Sequence, residues 1–242
     1  SAYAPVTTNG RGVTIGANEE GGASPGGNDF TGFIQDIRIY NKFLTEQEIL
    51  ALAEQTNPVK DNSGNGNDGY SVGQLSSVQG VQGKGAKLNF TNSITCPVYF
   101  YGDTASWSFW INDGNSSQRV AFLHGTYLNN GIYLAREVDD SNLRITVNGG
   151  GEFENVLFSS TPDEIHHLVI VLQSLSLKIY QDGSLVKDVT LSITPSLINQ
   201  DLIIGKYPPI VGWESNGLID EVRIYNRALS PEEVRGLYEY KK

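Results

Sequence analysis

The stretch Lys60-Asp61-Asn62-Ser63-Gly64-Asn65-Gly66-Asn67-Asp68-Gly69 holds the densest set of hard oxygen donors in the chain. Asp61, Asn62, Asn65, Asn67 and Asp68 offer carboxylate and amide oxygens, the ligand type that calcium takes. The spacing is not that of an EF-hand, because no glutamate stands at the twelfth position, so metal binding and ordinary turn hydrogen bonding are both open. Acid–base chemistry has weaker footing. Retaining glycoside hydrolysis needs two carboxylates about 5–5.5 Å apart. The nearest approaches are Glu137, Asp139 and Asp140, and the alternating pair Glu152 and Glu154, which abuts the turn at Gly149–Gly151. No nucleophile elbow, HExxH run, phosphate loop or Cys/His zinc spacing occurs. His166 and His167 are adjacent, so on a strand they point to opposite faces and do not serve one metal. His124 stands alone, and Cys96, the single cysteine, reads as a small hydrophobe in a β region. These patterns predict a protein that is not an enzyme.

Charge and length narrow the partners. A net charge of −10 over 242 residues disfavours nucleic acid and acidic membrane surfaces. No apolar run approaches the ~18 residues that cross a membrane, so no membrane insertion is expected. Methionine is absent even at position 1, so the start is a processing site or another boundary, and the lack of a visible signal peptide says nothing about the compartment. The low charged fraction, with 27 glycines and 12 tyrosines, leans toward the loop-rich β proteins of extracellular or particle surfaces.

The elements that must position these residues are short strands. Candidate strands are 87–90, 94–101, 106–112, 119–124, 131–136, 143–147, 153–158, 165–172, 175–181, 185–191, 202–204 and 218–226, separated by turn signals such as Asn148-Gly149-Gly150-Gly151 and Asp182-Gly183. Trp107, Phe109 and Ile111 alternate with Ser106, Ser108 and Trp110, and 168–172 is apolar enough to be buried on both faces. This predicts an all-β, two-sheet antiparallel sandwich. One pattern occurs twice: GLIDEVRIYNRALSPEEVRGLY from Gly217, and GFIQDIRIYNKFLTEQEILALA from Gly32. Each reads as a strand, a turn and a short helix. Ser230, Pro231 and Glu233 form a capping signature in one copy, and Thr45 and Glu48 form it in the other. In the second copy strict alternation puts Leu218, Asp220, Val222 and Ile224 on one face. Asn57-Pro58 reads as a helix stop, which places a boundary between residues 1–56 and 57–242.

The blocks Asp61–Gly69, Gly83-Lys-Gly-Ala-Lys-Leu-Asn-Phe90, Trp107-Ser-Phe-Trp-Ile111, His166-His-Leu-Val-Ile-Val171, Leu177-Lys-Ile-Tyr-Gln-Asp-Gly183 and Gly217–Ser230 follow one another in an order that resembles the laminin G-like jelly roll of the concanavalin A-like lectin and glucanase superfamily. The likeness covers about Lys60 to Tyr238. It departs in two places. The family's apolar opening strand is missing where Ile49–Lys60 stands, and residues 1–56 resemble only the closing strands and helix of a preceding, partial unit.

The resemblance implies a jelly roll with a short helix after each copy of the closing strand. It implies a noncatalytic surface module for glycan binding or adhesion within a larger protein, on an extracellular, cell or virion surface. It draws attention to Asp220 beside Asp61, Asn65, Asn67 and Asp68, with one structural calcium joining them, against plain hydrogen-bonding roles; in the first copy Gln35 stands in Asp220's place. For a sugar, exposed aromatic faces beside amides are needed. Tyr207, Trp213 and Asn216 in one loop and Tyr127 in another are the candidates, unless Trp213 simply covers the sandwich rim. The partners are then a glycan or a cell or particle surface, other copies of the chain, or a preceding domain. The alternative is a structural subunit of a filament, fibre or virion, in which residues 1–56 dock on a neighbour.

Overall fold

The computed structural model describes residues 57–89, 92–98, 102–112, 120–126, 130–136, 142–197, 201–205 and 215–240, together with 40, 42–45 and 49. The chain divides into two compact units, residues 1–44 and 45–242. In the first unit, Tyr40 and Phe43 are exposed.

The larger unit is a sandwich of two antiparallel sheets. In chain order its strands are β1 (Asn57–Val59), β2 (Gly69–Val72), β3 (Ser76–Gln79), β4 (Lys84–Lys87), β5 (Ser93–Cys96), β6 (Thr104–Asn112), β7 (Val120–Thr126), β8 (Asn130–Arg136), β9 (Asn142–Gly149), β10 (Glu152–Ser159), β11 (His166–Gln173), β12 (Ser176–Gln181), β13 (Ser184–Thr190), β14 (Leu202–Ile204) and β15 (Leu218–Tyr225), followed by helix α1 (Pro231–Glu239). One sheet has eight strands in the order β1-β2-β5-β14-β7-β8-β9-β10, and the other has seven, β13-β12-β11-β6-β15-β4-β3. This is the expected jelly-roll architecture.

The core lies between the sheets and follows from period-2 alternation. Trp107, Phe109 and Ile111 of β6 and Leu168, Ile170 and Leu172 of β11 meet Ile132, Leu134, Ile145 and Val147 of the opposite sheet. A second, smaller cluster lies on the outer face of the seven-stranded sheet, where Leu229 and Val234 pack on Val169, Val171 and Tyr180. Burying 168–172 on both faces therefore has a cause in the helix that covers it. That helix starts as its sequence predicts. Ser230 accepts the Glu233 N–H, the Glu233 carboxylate accepts the Ser230 N–H, and Pro231 occupies the first turn. The helix of the first copy lies outside the described residues apart from Ile49, whose N–H donates to the Thr45 carbonyl.

Asn57-Pro58 opens edge strand β1, where a proline lacking an N–H is tolerated, and the helix it is read to end lies outside the described residues. Two readings need correction. Strands β2 and β3 escape the sequence pattern, because Gly69–Val72 and Ser76–Gln79 are small and polar, and β4 runs over Lys84–Lys87 instead of beginning at Lys87. The alternation along β15 is also broken. A bulge between Asp220 and Arg223, with Glu221 at φ +50°, inserts one residue and inverts the phase. As a result Ile219, Val222 and Ile224 pack on the core, and Asp220 does not share their face.

Candidate functional site

The glycine–asparagine loop connects β1 to β2 at one edge of the eight-stranded sheet. Asp61 closes it on itself: its carboxylate accepts the Ser63 N–H and hydroxyl, both at 2.8 Å, and the Asn67 N–H at 2.9 Å. Asp68 accepts the Asp61 N–H at 2.8 Å and the Lys60 ammonium at 2.7 Å. The Ser63 bonds lower the Asp61 pKa and the Lys60 bond lowers that of Asp68. Asn65 donates to Ser63 Oγ.

Asp220 lies in the other sheet, buried, with its carboxylate accepting three backbone N–H groups: Val81 at 2.7 Å, Gln82 at 3.0 Å and Glu221 at 2.9 Å. Gly80 opens the β3–β4 turn that supplies two of these donors, and a Cβ there would stand 2.3 Å from Asp220 Oδ2 and 2.7 Å from the Gly85 nitrogen. The structure thus brings Asp61 and Asp68 together, and Asp220 belongs to a separate knot that ties a hairpin to the closing strand. Among the described residues no three His, Cys, Asp or Glu side chains converge. As arranged, the three carboxylates do not fit one shared calcium cage, since every oxygen of theirs already accepts an N–H, an O–H or an ammonium.

The other titratable groups are integrated into packing. The Trp107 indole N–H donates to His124 Nδ1 at 3.1 Å inside the core. His166 Nδ1 lies 2.8 Å from Asp182 Oδ2. His167 faces the opposite way, with Nε2 3.0 Å from Ser108 Oγ and its ring beside Trp110 and Tyr238. This serine–histidine pair is sealed beneath α1, where Trp110 and Tyr238 stack with centroids 5.6 Å apart. Glu154 accepts the Ser192 N–H and hydroxyl. Burial pushes the Cys96 thiol up to about 11, with the charges of Asp61 and Asp201 adding to the effect, so it stays protonated at neutral pH.

The outer face of the eight-stranded sheet is different. Its register sets one row of side chains: Pro58, Tyr70, Thr95, Ile203, Tyr133, Thr146 and Asn155, with the backbone of β7 pairing between Ile203 and Tyr133. Flanking positions on this face are Arg144 and Asn148 of β9 and Phe153 and Leu157 of β10, because Leu143, Ile145, Val147, Val156 and Phe158 take the core side. On edge strand β10, Phe153 (54% exposed), Asn155 and Leu157 are open. Behind them Thr146 donates to Asn155 Oδ1 at 2.7 Å, and the Arg144 guanidinium sits 5.8 Å from the Tyr133 ring centroid. Asn148, paired in register with Phe153, is 0% exposed, and neither its Oδ1 nor its Nδ2 has a hydrogen-bond partner. Such an amide is costly to leave unpaired. The exposed Phe153 ring beside the open Asn155 amide can take a ligand that has an apolar face edged with hydroxyls, while the Asn148 amide lies buried behind them.

Sequence reasoning missed this strip. The alternation Arg144, Thr146, Asn148 followed by Phe153, Asn155, Leu157 carries the signal, once the tight turn at Gly150-Gly151 is used to set the two strands in register. Of the loop candidates, Asn216 is half-buried just before β15, where the neighbouring Ser215 N–H donates to the Gly205 carbonyl. Tyr127, Tyr207 and Trp213 lie outside the described residues.

Two antiparallel sheets in this order, closed by a strand and a capped helix on one outer face, define a lectin-type jelly roll. The chain belongs to the concanavalin A-like lectin/glucanases superfamily, whose laminin G-type family model matches residues 83–235. No curated protein matches it by sequence. Among solved structures it is similar to domain 4 of AbnA, a GH43 extracellular arabinanase from Geobacillus stearothermophilus, in complex with arabinotriose, at 24% identity and a TM-score of 0.63, over 74% of this chain and 92% of that one. It is also similar to the binding domain of Paraclostridial Mosquitocidal Protein 1, at 21% identity and TM-score 0.60, over 74% and 48% of the two chains. The binding domain of Botulinum Neurotoxin DC in complex with SialylT matches at 14% identity and TM-score 0.60, over 75% and 48%. The chain thus spans about half the length of the toxin binding domains it matches.

Proposed function

We propose that the protein is a noncatalytic glycan-binding module of a larger extracellular or surface protein, and that the sugar lies on the outer face of the eight-stranded sheet at the β8–β10 edge. The observation that carries this reading is the open strip of β10, where the Phe153 ring and the Asn155 amide stand exposed on one face. A pyranose or furanose ring has an apolar C–H face that stacks on a ring such as Phe153, and hydroxyls that both donate and accept. The exposed Asn155 offers both functions, and Arg144 donates only. Fold neighbours in complex with arabinotriose and SialylT support the ligand class. The absence of a third carboxylate beside Glu152 and Glu154, with Glu154 held by Ser192, supports a binding role over hydrolysis.

The test is a glycan array on the full chain, followed by calorimetric titration of the best sugars and of arabinotriose and SialylT, each in calcium and in chelator. Phe153→Ala and Asn155→Ala are expected to weaken binding tenfold or more. If only Tyr207→Ala or Trp213→Ala does so, the site is instead at the rim with Asn216 and Tyr127. Binding that vanishes in chelator, and a melting temperature that rises with calcium, would revive a metal held by Asp61, Asn65, Asn67, Asp68 or Asp220. No sugar bound under either condition overturns the reading in favour of an assembly subunit.

A further inference from the structure

The seven-stranded sheet carries a groove of about 320 Å³ where the closing strand and the turn after it run beside α1. Arg223, Tyr225 and Arg227 line it from the strand side, and Gly236, Leu237 and Tyr240 from the helix side. A β-bulge puts two of these residues there. Glu221, at φ +50°, shifts the phase of β15, so that Val222 and Ile224 pack on the core while Arg223 and Tyr225 take the outer face, in register with Ser108 and Ser106. Bulges re-aim side chains, and a non-glycine residue held in the left-handed region is a strain that gathers at ligand sites. The helix side is fixed as well: the Tyr240 N–H donates to the Gly236 carbonyl at 3.0 Å, and the Gln82 amide donates to the Tyr240 carbonyl.

The lining combines apolar surface with paired charges. Tyr225 and Leu237 belong to the cluster that seats the helix, beside buried Leu229. Arg223 Nη2 donates to Glu221 at 2.5 Å, and its guanidinium lies 5.9 Å from the Tyr240 ring centroid. Arg227 reaches both oxygens of Glu233, at 2.6 and 2.8 Å, and lies 5.8 Å from the Tyr225 ring centroid. Each guanidinium is thereby held in place with N–H groups to spare. Arginine carries five; Arg223 commits one to Glu221, and Arg227 commits its bonds to Glu233 and the Ala228 carbonyl. The charges cancel pair by pair, so an ionic ligand meets no net field. Adjacent hydroxyls, which both donate and accept, meet guanidinium donors next to carboxylate acceptors.

We propose that this groove is a second saccharide site, and that its ligand is an uncharged sugar. The C–H face of the ring lies on the tyrosines and Leu237, and its adjacent hydroxyls bridge the Arg–Glu pairs. The proposal goes beyond the β10 strip and stands on separate residues. Together the two would set sugar sites on both outer faces of the sandwich, which lets one module join two glycan chains.

The test uses the full chain, with Phe153→Ala as a second background that blinds the strip. Arabinotriose, maltotriose and cellotriose are titrated, with trigalacturonate as the charged counterpart. Binding is read as heat and as shifts of the Tyr225 and Tyr240 ring signals, assigned with Tyr225→Phe and Tyr240→Phe. At least one neutral trisaccharide is expected to move both rings in either background. Gly236→Leu should weaken that binding tenfold or more while melting at or above the parent, because a Cβ at Gly236 meets no atom within 4 Å and leucine favours helix over glycine. Arg223→Met, which keeps the stem and removes the donors, should weaken it to a similar degree. No movement of either ring up to about 10 mM sugar overturns the proposal. So does tighter binding of trigalacturonate than of every neutral sugar, or neutral binding that survives both Gly236→Leu and Arg223→Met. Ring shifts that vanish with Phe153→Ala place the sugar on the strip alone and overturn the groove. Shifts that persist there support it even where the strip binds nothing.

Discussion

The two sheets have outer faces of opposite character. On the seven-stranded sheet, Ser106, Ser108, Trp110, His167, Val169 and Val171 are buried beneath α1 and its approach, and the two serines are bonded there: Ser106 Oγ donates to the Arg227 carbonyl and accepts the Leu229 N–H, while Ser108 meets His167. On the eight-stranded sheet, the β9–β10 edge leaves Phe153, Asn155 and Leu157 open. The covered face supports the fold, and in the reading proposed above the open one serves a ligand. The contrast predicts that substitutions on the two faces separate stability from binding.

The strongest break should come from Val234→Asp. It places a carboxylate among Val169, Val171, Tyr180 and Leu229 with no cation in the cluster, and should cost about 4 kcal/mol and lower the melting temperature by roughly 10 °C. Sugar binding by the fraction still folded should be unchanged. Asp220→Ala comes next. It strands the N–H groups of Val81, Gln82 and Glu221, for about 3 kcal/mol by calorimetry, and Asp220→Asn should recover part of this through its remaining oxygen. Gly80→Ala should lower stability through the same knot, because its Cβ would collide with that carboxylate.

Much of the covered face was legible in the sequence. The capping box at Ser230, the two-sided burial of 168–172 and the two-residue turn at Asp182-Gly183 are local patterns, and local patterns survive folding. The role of Asp220 was legible only in outline: a lone buried carboxylate must find donors, but the bulge that moves it off the core face depends on Glu221 adopting φ +50°, which no side-chain pattern announces. Strands β2 and β3 were hidden because their serines and glycines have low β propensity and owe their conformation to pairing with β5 and β4. The candidate strip was hidden for a similar reason, since Thr146 and Asn155, like Asn148 and Phe153, become neighbours only through register.

Acid should weaken the helix-covered face more gently. The Arg227 guanidinium, with the Ser230 N–H, holds the Glu233 carboxyl down at about 2 against its ordinary 4.5. A depressed carboxylate adds stability that is complete above its unfolded pKa and is lost as pH falls through the folded one. At pH 5 Glu233→Gln should therefore melt below the parent, and the two curves should converge toward pH 2. A gap that persists at pH 2 would mean that the side chain acts through packing rather than through its charge.

The smallest effect on stability, and the sharpest use of the contrast, belongs to the open face. Phe153 is exposed, so Phe153→Ala should move the melt by no more than the equivalent of about 0.5 kcal/mol. For Asn148→Ala even the sign is informative. A buried amide without partners carries a desolvation cost of about 1–3 kcal/mol, and alanine removes it at the expense of a small cavity. The variant should melt at or above the parent temperature with sugar affinity near the parent's, whereas Asn155→Ala on the open strip should lose at least tenfold in affinity, about 1.4 kcal/mol. A variant that instead loses stability would show the amide to be bonded within the fold, and the two outer faces would then both serve structure.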